Sequence, residues 1–226
     1  MKFACLGVAS LLCSTLWAQT PNQALVDLTD QIKTALQQDD MDGANRLTIK
    51  LNLAIYKQLK ITTATPKEKL EQLEKAAPAS GPERFYALSG LAKAAFDAGD
   101  SALADSYARE LLSDAAELPK DWNNGNAIFF GNMVAGRVAL RRDHNTELAK
   151  SFLLAAGRGK GSPQLNSFGP NMSLAKDLLE AGERDTVLEY FTLCRSFWKM
   201  GTQKLDDWSA AVKGGGMPDF GANLVY

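Results

Sequence analysis

The stretch PERFYALSGLAKAAFDAGDSALADSYARELLSDAAEL, residues 82–118, decides the fold class. Leu88, Leu91, Ala92, Ala95 and Phe96 recur at the three-and-four spacing of one helix face. After Ala98-Gly99-Asp100 a second series follows: Leu103, Ala104, Tyr107, Ala108, Leu111 and Leu112. Glycine suits the residue just past a helix end, and aspartate suits an N-cap. The pattern therefore predicts two helices folded back on each other. Alanines at the facing positions let the two backbones approach closely and leave an outer apolar face for a neighbouring pair.

The same grammar extends outward in both directions. Upstream, Leu25, Leu28, Ile32, Ala35 and Leu36 mark one helix, and Ala44, Leu47, Leu51, Ala54, Ile55 and Leu59 mark a partner. Thr65-Pro66-Lys67-Glu68 then opens a short charged helix with a capping box. Its sparse stripe of Leu70, Leu73, Ala76 and Ala77 places it at the surface, and the turn-rich Pro78–Pro82 reads as a linker. Downstream, a second hairpin runs from Asn126 to Ala156 around Asn145, and a third from Leu174 to Trp198 around Gly182. Between them, 157–169 (GRGKGSPQLNSFG) has no helical periodicity and is expected to be an ordered loop. A short helix over 204–212 precedes an irregular tail with Phe220, Leu224 and Tyr226 available to pack. No segment alternates as a strand would, so the expected class is all-α. The expected divisions are 19–77, 82–198 and 199–226.

Residues 1–18, MKFACLGVASLLCSTLWA, have one cation, an apolar run and a small residue at Ala18. That is the layout of a secretory signal peptide, with an uncleaved N-terminal anchor as the alternative. Cleavage would remove Cys5 and Cys13 and leave Cys194 alone, with no internal disulfide possible. An exported chain without disulfides points to a bacterial periplasmic or secreted setting. Cys194 sits in an apolar helical pattern and reads as a small core residue. The chain carries 25 Lys+Arg against 26 Asp+Glu, without long runs of one sign, which argues against nucleic acid or a membrane surface as partner. After the signal no segment is apolar enough to span a bilayer.

The hairpins share a register that resembles the tetratricopeptide repeat. It is carried by Leu88, Leu91, Ala92, Ala95, Gly99, Asp100, Ala104, Ala108 and Leu111, and again by Leu174, Ala175, Leu178, Gly182, Val187, Phe191 and Cys194. The middle pair (Ala135, Gly136, Ala139, Ala149, Leu153, Ala156) fits if one residue is inserted before its turn at His144-Asn145. The turns at Gly99, His144 and Gly182 are roughly 45 and roughly 38 residues apart, against about 34 in the family. The resemblance thus implies an irregular array of antiparallel helical hairpins, an α-solenoid, over residues 82–198. It also implies a concave groove faced by the residue after the small residue of each first helix. Here those residues are Lys93, Arg137 and Lys176, a row of cations suited to an acidic peptide or protein.

Other constellations carry less. His144 is the single histidine and lies in a turn, so a histidine metal site or a triad has little to stand on. Asp39, Asp40 and Asp42 lack the EF-hand spacing and read as helix caps. The GRGKGS stretch lacks the phosphate-loop order and a preceding strand. Trp122, Trp198 and Trp208 read as packing residues rather than a sugar platform. No cofactor, metal or catalytic set is expected. Three functions remain open: a non-enzymatic binding scaffold, a small exported hydrolase using carboxylates near 157–169, and a structural subunit of an envelope assembly.

Overall fold

The structure is a computed structural model that describes residues 23–38, 40, 43, 47, 50 and 64–224. The signal segment, Tyr226 and most of the helix expected over 44–59 lie outside the described residues. Every regular element described is helical: ten α-helices and two 3-10 turns. The fold is all-α. None of these helices is long and apolar enough to cross a membrane. The chain divides into two compact units, Met1–Ala64 and Thr65–Tyr226.

In the first unit, α1 (Gln23–Gln37) buries Ala35, whereas Leu36, expected on the same face, is exposed. Asp40 accepts a hydrogen bond from the Gly43 N–H at 2.8 Å, a capping role. Asp39 and Asp42 lie outside the described residues.

The second unit begins at α2 (Pro66–Ala76). Its capping box has the Glu68 N–H donating to Thr65 Oγ1 at 3.2 Å and the Thr65 N–H donating to Glu68 Oε2 at 2.7 Å. Pro78–Pro82 joins helices that pack on each other within this unit, α2 and α3 (Pro82–Asp97). Next come α4 (Ser101–Glu117), α5 (Asn124–Arg141) and α6 (Thr146–Arg158). A six-residue helix α7 (Pro163–Phe168) follows, where the sequence predicted loop. Pro163 at its start and the Ser162 hydroxyl, which accepts from the Leu165 N–H at 3.0 Å, nucleate it, and six residues are too few to show periodicity. α8 (Ser173–Glu180), α9 (Arg184–Cys194) and α10 (Thr202–Lys213) complete the set.

α3 packs on α4, α4 on α5 and α5 on α6, α3 also meets α5, α5 meets α8, and α6 meets α9. The turns show why the hairpins close alike. The Asp100 N–H donates to Ala95 O and the Gly99 N–H to Phe96 O, a Schellman closure with Gly99 at φ +83°. Glu183 and Gly182 repeat it on Leu178 and Leu179. At the middle turn the Asn145 N–H reaches Ala139 O, one residue farther back, and His144 takes φ +51°. The middle turn is thus one residue longer than the other two. Asp100 and Asn145 then cap α4 and α6, accepting from the Leu103 and Leu148 N–H groups.

Two apolar clusters hold the unit together. One runs from Phe85 and Leu88 through Phe129, Leu153 and Leu174 to Phe191, Trp208 and Phe220. The other is alanine-rich, with Ala92, Ala95, Ala104, Ala108, Ala135 and Val138. Cys194 is buried, and burial pushes its thiol up, as expected of a core residue. The glycines of 157–162 are packing residues: a Cβ on Gly125 would stand 1.8 Å from Gly161 O, and one on Gly161 would stand 2.3 Å from Phe197 Cβ. Phe220 packs against Phe191 and Trp208. The Asn223 side-chain amide donates to Phe168 O and Pro170 O, and the backbone carbonyl of Asn223 accepts from the Met172 N–H at 2.8 Å. Trp198 and Trp208 are core residues as read, but Trp122 is 70% exposed.

Candidate groove on the first helices of the hairpins

α3, α5 and the start of α8 line a cleft of about 70 Å³ whose walls include Lys93, Phe96, Phe130, Arg137, Ser173 and Leu224. Small-molecule sites run to several hundred Å³, so this cleft admits one side chain at most. Its chemistry is an exchange of cations and rings between neighbouring helices. Lys93 Nζ of α3 stands 4.8 Å from the Phe130 ring centroid of α5, and Arg137 Cζ of α5 stands 4.2 Å from the Phe96 ring of α3. Each cation covers an aromatic face across the helix interface.

The two cations differ in what else they meet. Arg137 Nε lies 3.0 Å from Asp177 Oδ2, and Arg141, one turn on, reaches Asp177 Oδ1 at 2.6 Å. Asp177 is only 7% exposed. The carboxylate pushes the Arg141 guanidinium up. Lys93 has no carboxylate within ion-pair distance among the described residues. Burial pushes its ammonium down; Asp97 opposes that shift and Lys69 of α2 adds to it.

The expected row of three is therefore reduced. Lys93 and Arg137 meet in one cleft, but Arg137 is already paired with Asp177, and Lys176, outside the cleft lining, pairs with Glu180 at 2.9 Å. Asp177 escaped the sequence reading. Its signal is an acid within the stripe Leu174, Asp177, Leu178, which needs a buried cation opposite it.

A second feature continues along α3. Tyr86, Gly90, Lys93 and Asp97 are spaced four, three and four, so they share one face. Tyr86 stacks on exposed Trp122, with ring centroids 5.3 Å apart, and its hydroxyl donates to Asp121 at 3.0 Å. Gly90 differs from the helix-interior glycines of α5 and α6. Cβ atoms at Gly131, Gly136 and Gly157 would come within 2.7, 2.3 and 2.9 Å of neighbouring side chains, whereas one at Gly90 would meet nothing within 4 Å. A glycine there costs about 1 kcal/mol of helix stability relative to alanine, and no contact among the described residues asks for it.

Elsewhere the polar groups serve structure. Asn124 donates to Ala115 O and Leu118 O, and Asn126 donates to Asn123 while accepting from Ser162, tying the 119–126 and 157–162 connections to their helices. Among the described residues no three acidic, histidine or cysteine side chains are placed to hold a metal. No protein-family model, curated protein or solved structure matches this chain, so its function has to be read from the groove itself.

Proposed function

We propose that the chain is a tetratricopeptide-like scaffold of the bacterial envelope, exported by its N-terminal signal, which binds an acidic protein or peptide partner without catalysing a reaction. The packing of α3 on α5 and α5 on α8, with α6 on α9 behind them, supports an array of stacked hairpins with first helices on one side. The repeated turn closures at Gly99 and Gly182 support a common repeat unit.

One observation carries the binding reading: Lys93 is half-buried on the Phe130 ring with no carboxylate in range among the described residues. Desolvating an ammonium is costly unless an anion meets it. A partner carboxylate entering the cleft would complete this site by a charge-assisted hydrogen bond.

The test is crosslinking and capture from the native envelope fraction at low salt. Lys93→Glu is expected to lose the captured partner, and Lys176→Glu, placed on the Glu180-paired surface, to keep it. Equal capture by wild type and Lys93→Glu would overturn the reading.

A further inference from the structure

The open face of α3 carries a feature that packing among the described residues does not use. Gly90 lies between Tyr86 and Lys93 with empty space above its Cα, in a helix where alanine would be more stable. At closely packed helix crossings glycine serves to bring backbones together, and this chain uses Gly131 and Gly136 in that way. At Gly90 the approaching element is absent from the chain described.

We propose that this face receives an amphipathic helix of the partner protein, with a large apolar residue against Tyr86 and Trp122, and an acidic residue two turns along opposite Lys93. The inference rests on the scaffold reading above and specifies its ligand. The spacing follows from geometry, because seven residues of α3 separate Tyr86 from Lys93 by about 10.5 Å, which seven residues of a partner helix match. Charge complementarity sets the polarity: an acid faces Lys93, and a base faces exposed Asp97 one turn farther.

A helix fits better than an extended strand for a reason of hydrogen bonding. The N–H and C=O groups of α3 are consumed within the helix, and the Tyr86 hydroxyl donates to Asp121. An extended backbone laid on this face would have its polar groups covered without partners, whereas a helix satisfies its own. Exposed Trp122 supplies the apolar rim that would anchor such a helix.

The probe is a phage-displayed library of alanine-rich fifteen-residue helices with positions i and i+7 randomised, selected on the purified chain. Expected is at least tenfold enrichment of Phe, Trp or Leu at i and of Asp or Glu at i+7. Lys93→Glu should move the preference at i+7 to Lys or Arg. Gly90→Leu should abolish enrichment without lowering the melting temperature, and Gly90→Met provides a second variant if Leu perturbs the fold. The proposal is overturned by no enrichment on wild type, by the same enrichment on both Gly90 variants, or by proline-containing winners that cannot be helical. A wild-type dimer in sedimentation that becomes monomeric in Gly90→Leu would also overturn it, in favour of a second copy on this face. Envelope capture separates the two readings. Loss with Lys93→Glu but not with Gly90→Leu leaves the scaffold and removes the helix, while capture unaffected by either removes both.

Discussion

Helices α3 and α5 are successive first helices of their hairpins, yet they meet their surroundings in opposite ways. Almost every residue of α5 from Asn124 to Ala139 is buried, and Gly131 and Gly136 lie directly under Leu112 and Leu174. α3 buries Phe85, Leu88, Leu91, Ala92 and Ala95 but leaves Tyr86, Gly90, Lys93 and Asp97 along one face without such cover. The cations follow suit: Arg137 is matched by Asp177, and Lys93 has no such match among the described residues. The same residue types thus do packing work on α5 and stay available on α3. A glycine or a groove cation gains meaning only from what sits opposite it.

The comparison is broken most severely by Asp177→Ala. It strands Arg137, which is mostly buried against Phe96, while the half-exposed Arg141 can turn to solvent. Removing one partner of a fully buried ion pair costs about 3–5 kcal/mol, and the solvent access of Arg141 places this variant near the lower end. Urea denaturation measures it, and a loss below about 1 kcal/mol would show that the cluster is effectively solvated.

Next is Gly136→Val. The new side chain would start 2.3 Å from Leu174 Cδ2 and 3.1 Å from Phe152 Cβ, so α5 and α8 must move apart. Overpacking of this kind costs about 1–3 kcal/mol. An unchanged unfolding midpoint would mean that the α5–α8 contact is loose.

These two variants also mark what the sequence could and could not say. Helices, hairpin turns and caps are written in residues close together, so Gly99, Asp100, Asn145 and the Thr65–Glu68 box were legible, as was the extra residue ahead of Asn145. The apolar periodicity gave the all-α class for the same reason. Asp177 was not legible, because its meaning depends on arginines 36 and 40 positions away. Trp122 was read as packing from residue type alone. Its exposure follows from its place in the connection before α5, where Asn123 and Asn124 turn inward and it turns out. The glycines of 157–161 lack the phosphate-loop order in sequence, but their packing role against Gly125 and Phe197 depends on distant residues and is legible only in the fold.

Gly90→Ala sharpens the comparison from the other side. With nothing within 4 Å of the new methyl group, only the backbone term changes, and the chain should gain about 1 kcal/mol. Thermal unfolding would show a rise of a few degrees, and a fall would mean that α3 is covered at Gly90. The same change at Gly131, under Leu112, should destabilise.

The smallest effect is expected at Lys93→Met, and its sign is the informative part. The substitution loses the ammonium–Phe130 attraction, about 0.5–1 kcal/mol at a partly exposed site. It keeps an unbranched side chain on the ring and gains a sulfur–aromatic contact of similar size. It also removes the cost of desolvating a charge that no carboxylate of the described residues offsets at ion-pair distance. Stability near neutral pH should therefore hold or rise by less than about 1 kcal/mol, whereas Arg137→Met should lose stability by leaving Asp177 with one partner fewer. The pH dependence follows from burial holding the Lys93 ammonium below the ordinary lysine value of 10.5. Folding disfavours the proton, so the penalty is fully present below the folded-state pKa and is relieved as pH rises from there towards 10.5. Wild type should close its gap to Lys93→Met across that alkaline interval, as measured by urea unfolding at successive pH values. A gap that instead widens with rising pH would mean that the Lys93 charge is stabilised in the free chain, and that the site is already complete without a partner.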